Sequence, residues 1–217
     1  MIMIEKRGVD WIMSPEKRAI DIVLSTVAHK ALKPFADRAA HAIQELDGQS
    51  PYFEQQRIGQ YGQLFTMPKI RTMAVGTEQT SSTGHGDERR LGSTGRLIST
   101  LRIDEVPQLK LVRQGKMSFF APRAILPIEY EEIMDKSNKK EQSLFQEAIL
   151  TNKPGMVDPH CIGVHTGDFN DAWDTRRDAY IDYARDASLV GDMLIAGSVP
   201  TVFGKLGFQA LRYQLST

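Results

Sequence analysis

Over the first fifty residues, apolar and polar positions recur with a helical period. Ser14-Pro15-Glu16-Lys17 has the residues of a helix start, a Ser cap followed by Pro in the first turn. Beyond it, Ile20, Val23, Leu24, Val27, Ala31, Phe35, Ala39, Ile43 and Leu46 follow at intervals of three and four. His29, Lys30, Lys33, Asp37, Arg38, His41 and Glu45 fall on the opposite side. The spacing predicts a long amphipathic helix, kinked or broken at Pro34 and ended by Asp47-Gly48. Tyr52 to Ile58 and Gln63 to Met67 read as short strands around a Gly59–Gly62 turn. The polar stretch 76–93 is too long for an ordinary connection and reads as a lid or a disordered loop.

Further on, Thr94 to Leu101 and Pro107 to Gln114 are short helix candidates, the second with Pro at its start and Gly115 at its end. Met117 to Phe120 is a short apolar strand, and Glu129 to Leu150 a charged helix or helix pair. Asn170 to Ala187 reads as a polar helix, and Ser188 to Phe203 as a more apolar one. The fold class is α+β: one compact domain, mostly helical with a small β-sheet, preceded by the Pro-interrupted amphipathic helix. On this reading residues 1–50 form the N-terminal helical segment and 51–217 the remaining domain.

Composition narrows the functional classes. Of the 217 residues, 41% are hydrophobic and 25% charged, enough for a real core. The 27 basic and 27 acidic residues cancel, which argues against a nucleic-acid partner. A lone cysteine, Cys161, excludes an internal disulfide and fits a reducing compartment. The N-terminal residues lack a secretory h-region. No apolar run reaches the roughly 18 residues of a simple membrane span. The expected location is therefore cytoplasmic.

Three groups of residues can carry chemistry. In LRIDEVPQL, Asp104 and Glu105 interrupt an apolar run just before Pro107. A carboxylate can serve as nucleophile, general base or metal ligand. Two adjacent carboxylates cannot share a helix face, so one can point into a cleft while its neighbour binds an ion. The plainer alternative is a capping acid beside a solvated one. The second group is Lys69, Arg71, Arg96, Arg102 and Arg123, each beside apolar or small residues. These suit phosphate or carboxylate, or are ordinary surface cations. In the third group, His160, Cys161 and His165 lack the further ligands of a zinc site and read as structural. No Gly-rich phosphate loop or nucleophile elbow is present.

Taken in order, KRAIDIVL (Lys17–Leu24), YFEQQRIGQYGQLFTMPKIRTM (Tyr52–Met73), TGRLISTLRIDEVPQLKLVRQGKMSFFAPR (Thr94–Arg123) and KPGM (Lys153–Met156) resemble the bacterial sugar transferases. These are monotopic polyprenol-phosphate phosphoglycosyl transferases. The resemblance runs from about Glu16 to Phe203, and the collinear set carries it. It implies a transferase that moves a sugar-1-phosphate from a UDP-sugar to a polyprenol phosphate, in glycoconjugate or exopolysaccharide biosynthesis. Asp104 would attack the sugar-bearing phosphate and release UMP. Glu105 would hold Mg2+. Arg102 and Arg123 would contact phosphate, with Arg71, Lys69 and Arg96 as further candidates. With the flanking matches, the reactive-pair reading of Asp104-Glu105 is favoured over the capping one.

The sequence also departs from the family. The family's N-terminal segment is an apolar re-entrant membrane helix broken by a proline. Here the charged positions favour a soluble face, or a helix lying peripherally on the inner face of the membrane. Its apolar side needs a cover, which lipid, a partner or a second copy in a homo-oligomer would supply. Lys116 stands where the family has an acid, Ala121 and Ala124 flank Arg123, and Tyr180 falls near a family acid. Such changes bear on the donor or acceptor site and leave Asp104-Glu105 intact. The alternative is a relative that binds a nucleotide sugar or a partner protein without transfer.

Overall fold

The computed structural model describes residues 6–74, 91–158 and 173–200. A short helix α1 (Lys6–Ile12) leads into α2 (Pro15–Asp47), the longest element. Ser14 caps α2 by accepting the Lys17 N–H, and Gly48 closes it in a left-handed conformation, φ 69°. Both ends are where the sequence puts them. The helix does not break at Pro34, which lies on its exposed side, so the expectation of an interruption is not met.

The burial of α2 reverses the expected polarity over its first half. Val23, Val27, Ala31 and Phe35 are exposed, while Lys17, Asp21 and Ser25 are buried. Only the later part of the stripe, Ala39 and Ile43, enters the core. The reason is geometric. Residues four apart advance by about 40° around a helix, so a stripe of such steps turns by about 200° between Val23 and Ile43. It starts outward and ends inward. No helix among the described residues is long and apolar enough to cross a membrane.

The buried polar face of α2 is satisfied by ion pairing. Lys17 Nζ lies 2.9 Å from Asp192 and 3.4 Å from Asp21, and donates to the Phe120 carbonyl at 2.9 Å. Asp21 also accepts from Ser118 Oγ and the Phe119 N–H, at 3.0 and 2.8 Å. Asp192 accepts from Trp11 Nε1 at 3.0 Å and faces Tyr183 Oη at 2.9 Å. Both ends of the described chain are thus tied to α2 through one buried lysine.

After α2 come β1 (Tyr52–Ile58) and β2 (Leu64–Ile70), an antiparallel hairpin in register Tyr52↔Ile70 to Ile58↔Leu64. Then follow α3 (Gly92–Thr100), a 3₁₀ segment (Ile103–Gln108), α4 (Leu109–Arg113), β3 (Ser118–Phe120), α5 (Pro127–Lys136), α6 (Lys139–Thr151) and β4 (Gly155–Val157). Helix α7 (Trp173–Asp186) and helix α8 (189–200) complete the described chain. The charged region from Glu129 resolves into two helices, joined where Asn138 caps the second in a capping box with Glu141. Strands β3 and β4 pair in parallel, Ser118↔Gly155 and Phe120↔Val157. Among the described residues the sheet content is therefore two separate two-stranded sheets. One core cluster joins α5, α6 and α7 around Phe145, which stacks on Tyr130 and meets Tyr180 edge-on. A second joins α2, Ile70, Ile98, Val106 and Leu109. That second cluster holds the 3₁₀ segment against α2.

Lys17→Met should destabilise the protein by roughly 3–5 kcal/mol, because it leaves Asp21 and Asp192 buried without their shared cation. Urea unfolding of parent and variant measures this. A loss under about 1 kcal/mol would mean that the ionic tie contributes little.

Candidate active site

The site is built on the short 3₁₀ segment. Its cap, Arg102, sits in the left-handed region at φ 56°, costly for a residue with a Cβ. That conformation turns the chain, so the Arg102 carbonyl accepts the Glu105 N–H at 3.2 Å while the Arg102 side chain reaches Glu105 Oε1 at 3.1 Å. Both acids therefore belong to the first helical turn, which begins at Ile103 and not at Pro107. Each is 8% exposed.

Their environments differ sharply. Glu105 Oε1 receives three cations: Arg102 at 3.1 Å, Lys69 at 3.4 Å and Arg123 at 3.4 Å. Burial alone would raise its pKa, but Arg102, Lys69 and Arg123 outweigh this and hold Glu105 well below the usual carboxylate range. Asp104 Oδ1 is fully buried and has no hydrogen-bond partner among the described residues. Burial, then the Glu105 charge beside it, raise its pKa to about 6. Lys69 is pushed down to about 8, chiefly by burial and in spite of Glu105. The pair thus divides into one carboxylate held in its charged state and one with a buried oxygen that accepts no hydrogen bond.

Arg123 is fixed by its backbone. Four of the five carbonyls from Phe120 to Ala124 hold a donor from another element. Lys17 binds Phe120, the Gly155 N–H binds Pro122 at 2.7 Å, Tyr180 Oη binds Arg123, and Arg57 binds Ala124 at 2.9 Å. Gly155 has to be glycine, since a Cβ there would lie 1.9 Å from the Ala121 carbonyl oxygen. Burial raises the Tyr180 pKa well above its ordinary value, so it stays a neutral donor.

Of the expected site residues, Asp104, Glu105, Lys69, Arg102 and Arg123 come together. Arg71 stands apart. It grips Asp47 with two bonds of 2.7 Å and donates to the Ser50 carbonyl, securing the end of α2. Arg96 lies half-buried on α3. His160, Cys161, His165 and most of 76–93 lie outside the described residues. Sequence reasoning missed Arg57, Tyr180 and Lys17 as supports of the Arg123 turn. The one available signal was a cation near the end of a strand, flanked by uncharged residues as in QQRIG.

For a divalent metal, the described residues contain no cluster of three or more His, Cys, Asp or Glu. Mg2+ does not require one, since it is often held by one or two carboxylates plus substrate phosphates. Glu105 fits that role. All three cations bond through Oε1, and Oε2 accepts no hydrogen bond among the described residues.

The profile of the family described as bacterial sugar transferase matches residues 12–205, and the chain belongs to that family. It is 27% identical over 203 residues to the exopolysaccharide production protein ExoY of Sinorhizobium fredii, covering 86% of this chain and 84% of that one. It is 46% identical over 81 residues to the sugar transferase EpsL of Bacillus subtilis, covering 36% of this chain and 39% of that one. A third relative is the undecaprenyl-phosphate glucose phosphotransferase of Komagataeibacter xylinus, 38% identical over 125 residues, which are 54% of this chain and 22% of that protein.

The raised Asp104 pKa has a stability consequence. The folded chain holds that proton more tightly than the unfolded chain, whose carboxyl titrates near 3.8. Ionisation therefore costs stability, beginning as pH rises past 3.8 and complete above about 6. Asp104→Asn removes that cost. The variant should be more stable than the parent at pH 7, by about 1–3 kcal/mol, and equal to it near pH 4. Melting curves at the two pH values test this, and a difference that does not change with pH would contradict it.

Proposed function

We propose that the protein is a phosphoglycosyl transferase that moves a sugar-1-phosphate from a UDP-sugar to polyprenol phosphate through an intermediate on Asp104. The observation that carries this reading is the buried, unpartnered Oδ1 of Asp104 beside a Glu105 held charged by three cations. Attack by a carboxylate on a diphosphate brings anions together and needs compensating charge. Arg102, Arg123 and Lys69 supply it. Their side chains are 31%, 29% and 14% exposed, so they can reach phosphate without leaving Glu105. Glu105 Oε2 would hold Mg2+, which when bound neutralises charge on the diphosphate.

In the first step an Asp104 oxygen bonds to the phosphorus that carries the sugar. The bond from that phosphorus to the bridging oxygen breaks, and UMP leaves with that oxygen. The sugar phosphate stays on Asp104 as a mixed anhydride. In the second step an oxygen of polyprenol phosphate attacks the same phosphorus, and Asp104 departs as a carboxylate with its electron pair restored. Splitting the transfer in this way predicts ping-pong kinetics. The names of relatives support the acceptor, since two of them are undecaprenyl-phosphate galactose and glucose phosphotransferases. ExoY supports a place in exopolysaccharide production.

The exposed stripe of α2 supports a peripheral position on the cytoplasmic face of the membrane, where a polyprenol acceptor resides. Val23, Val27 and Phe35 are 60%, 62% and 55% exposed, and Met193 and Leu194 of α8 add 64% and 71%. An outward apolar face of this kind needs a cover.

Two experiments test the reading. Purified protein with Mg2+ and a panel of UDP-sugars should release UMP. Release should depend on polyprenol phosphate beyond one equivalent, and its rate should rise with pH up to about 6 and then level. Asp104→Asn should release none, and Glu105→Gln should need more Mg2+ for the same rate. Release by Asp104→Asn at the parental rate would refute the nucleophile. Separately, the parent should sediment with phospholipid vesicles, and a Val27→Glu/Phe35→Glu variant should remain in the supernatant. A parent that ignores vesicles but runs as a stable oligomer would assign the stripe to a second copy.

A further inference from the structure

Gln108 is 3% exposed, and its Nε2 donates to nothing among the described residues. More than nine in ten buried polar groups find a partner, so an orphan of this kind calls for a reason. The cost is real: a buried donor left unpaired forfeits the hydrogen bond it would make to water. A second orphan lies on the same 3₁₀ segment, the acceptor Asp104 Oδ1. Two unpaired polar atoms, one donor and one acceptor, thus sit within five residues of each other.

The geometry of the segment relates Gln108 to the charged cluster. In a 3₁₀ helix, residues three apart eclipse, about 6 Å along the axis. Glu105 and Gln108 both lie in Ile103–Gln108 and stand in that relation. Gln108 therefore leaves the segment on the same side as Glu105, the carboxylate that gathers Lys69, Arg102 and Arg123. A neutral amide adds a directed N–H donor without adding charge. The three cations supply bulk charge to a diphosphate. They do not supply a neutral donor held in one direction.

We propose that Gln108 is a substrate-binding residue whose amide N–H donates to a non-bridging oxygen of the sugar-bearing phosphate, beside the bond that Asp104 makes. This rests on the reading of Asp104 as the nucleophile. Gln108 is kept unpaired in the empty protein because its partner arrives with the donor. Protein stability is thereby given up for a contact made only in the complex, as is common where a site is preorganised.

The test variant is Gln108→Met, which keeps side-chain length and removes the donor. Three readouts are taken together: melting temperature, single-turnover UMP release, and the melting-temperature shift caused by UDP-sugar. The expected result is a melting temperature at or above the parent's with UMP release slowed at least about ten-fold. A residue that merely fills space would lower the melting temperature on replacement or leave both readouts unchanged. If the parent releases UMP and the variant matches it within two-fold, Gln108 is refuted while the transferase reading stands. If the parent binds UDP-sugar without releasing UMP, transfer is refuted. The Gln108 contact is then supported by loss of the thermal shift in the variant and refuted by its retention. A variant that melts below the parent refutes the unpaired donor. A parent with neither release nor shift refutes both proposals.

Discussion

Three cations from separate parts of the chain meet on one oxygen of Glu105. Lys69 arrives from a hairpin strand, Arg102 from the strained residue just before the 3₁₀ segment, and Arg123 from the turn after β3. Each has its own structural requirement. Lys69 needs the hairpin against the 3₁₀ segment, Arg102 needs a left-handed backbone, and Arg123 needs its carbonyls held by four other elements. The carboxylate makes these requirements one. It compensates cations that would otherwise repel one another in a largely desolvated place. Its charge also raises the pKa of Asp104 next door. Removing Glu105 would therefore change both the position of the cations and the protonation of the neighbouring acid.

The parts of the fold written in local sequence were legible in advance. Ser14-Pro15 and Asp47-Gly48 bracket α2 because capping is decided by a few adjacent residues. The hairpin and the two candidate acids were legible for the same reason, while Lys69, Arg102 and Arg123 were legible only as part of a wider group of five cations that also held Arg71 and Arg96. What failed was long-range. Arg71 has the same apolar neighbours as the other candidates, yet it serves Asp47, 24 residues away, and nothing local separates it from Lys69. The conformation of Arg102 was not legible either, since arginine has no preference for positive φ.

The error over α2 has a definite cause. A periodic stripe tells which residues share a face and not what that face meets. Read alone, Ile20 to Leu46 looked like one apolar surface. The structure splits it, because steps of four rotate around the axis. The real inward face of the first half, Lys17, Asp21 and Ser25, was present at the same spacing and carried the opposite chemistry. Polar residues inside and apolar residues outside make up the arrangement expected where the outer medium is less polar than water.

The tie between Trp11 and Asp192 spans 181 residues of sequence. A ribosome adds about 5–20 residues per second, so the last partner of Lys17 is made roughly 10–35 s after the first turn of α2. Through that interval Lys17 has only Asp21 from its own helix, and the Phe120 carbonyl once β3 has emerged. The apolar stripe of α2, by contrast, is complete as soon as the helix is. The nascent chain thus presents its greasy face long before it can close its ionic core. The order of synthesis leaves the outer face of α2 complete before the ionic core beneath it can close.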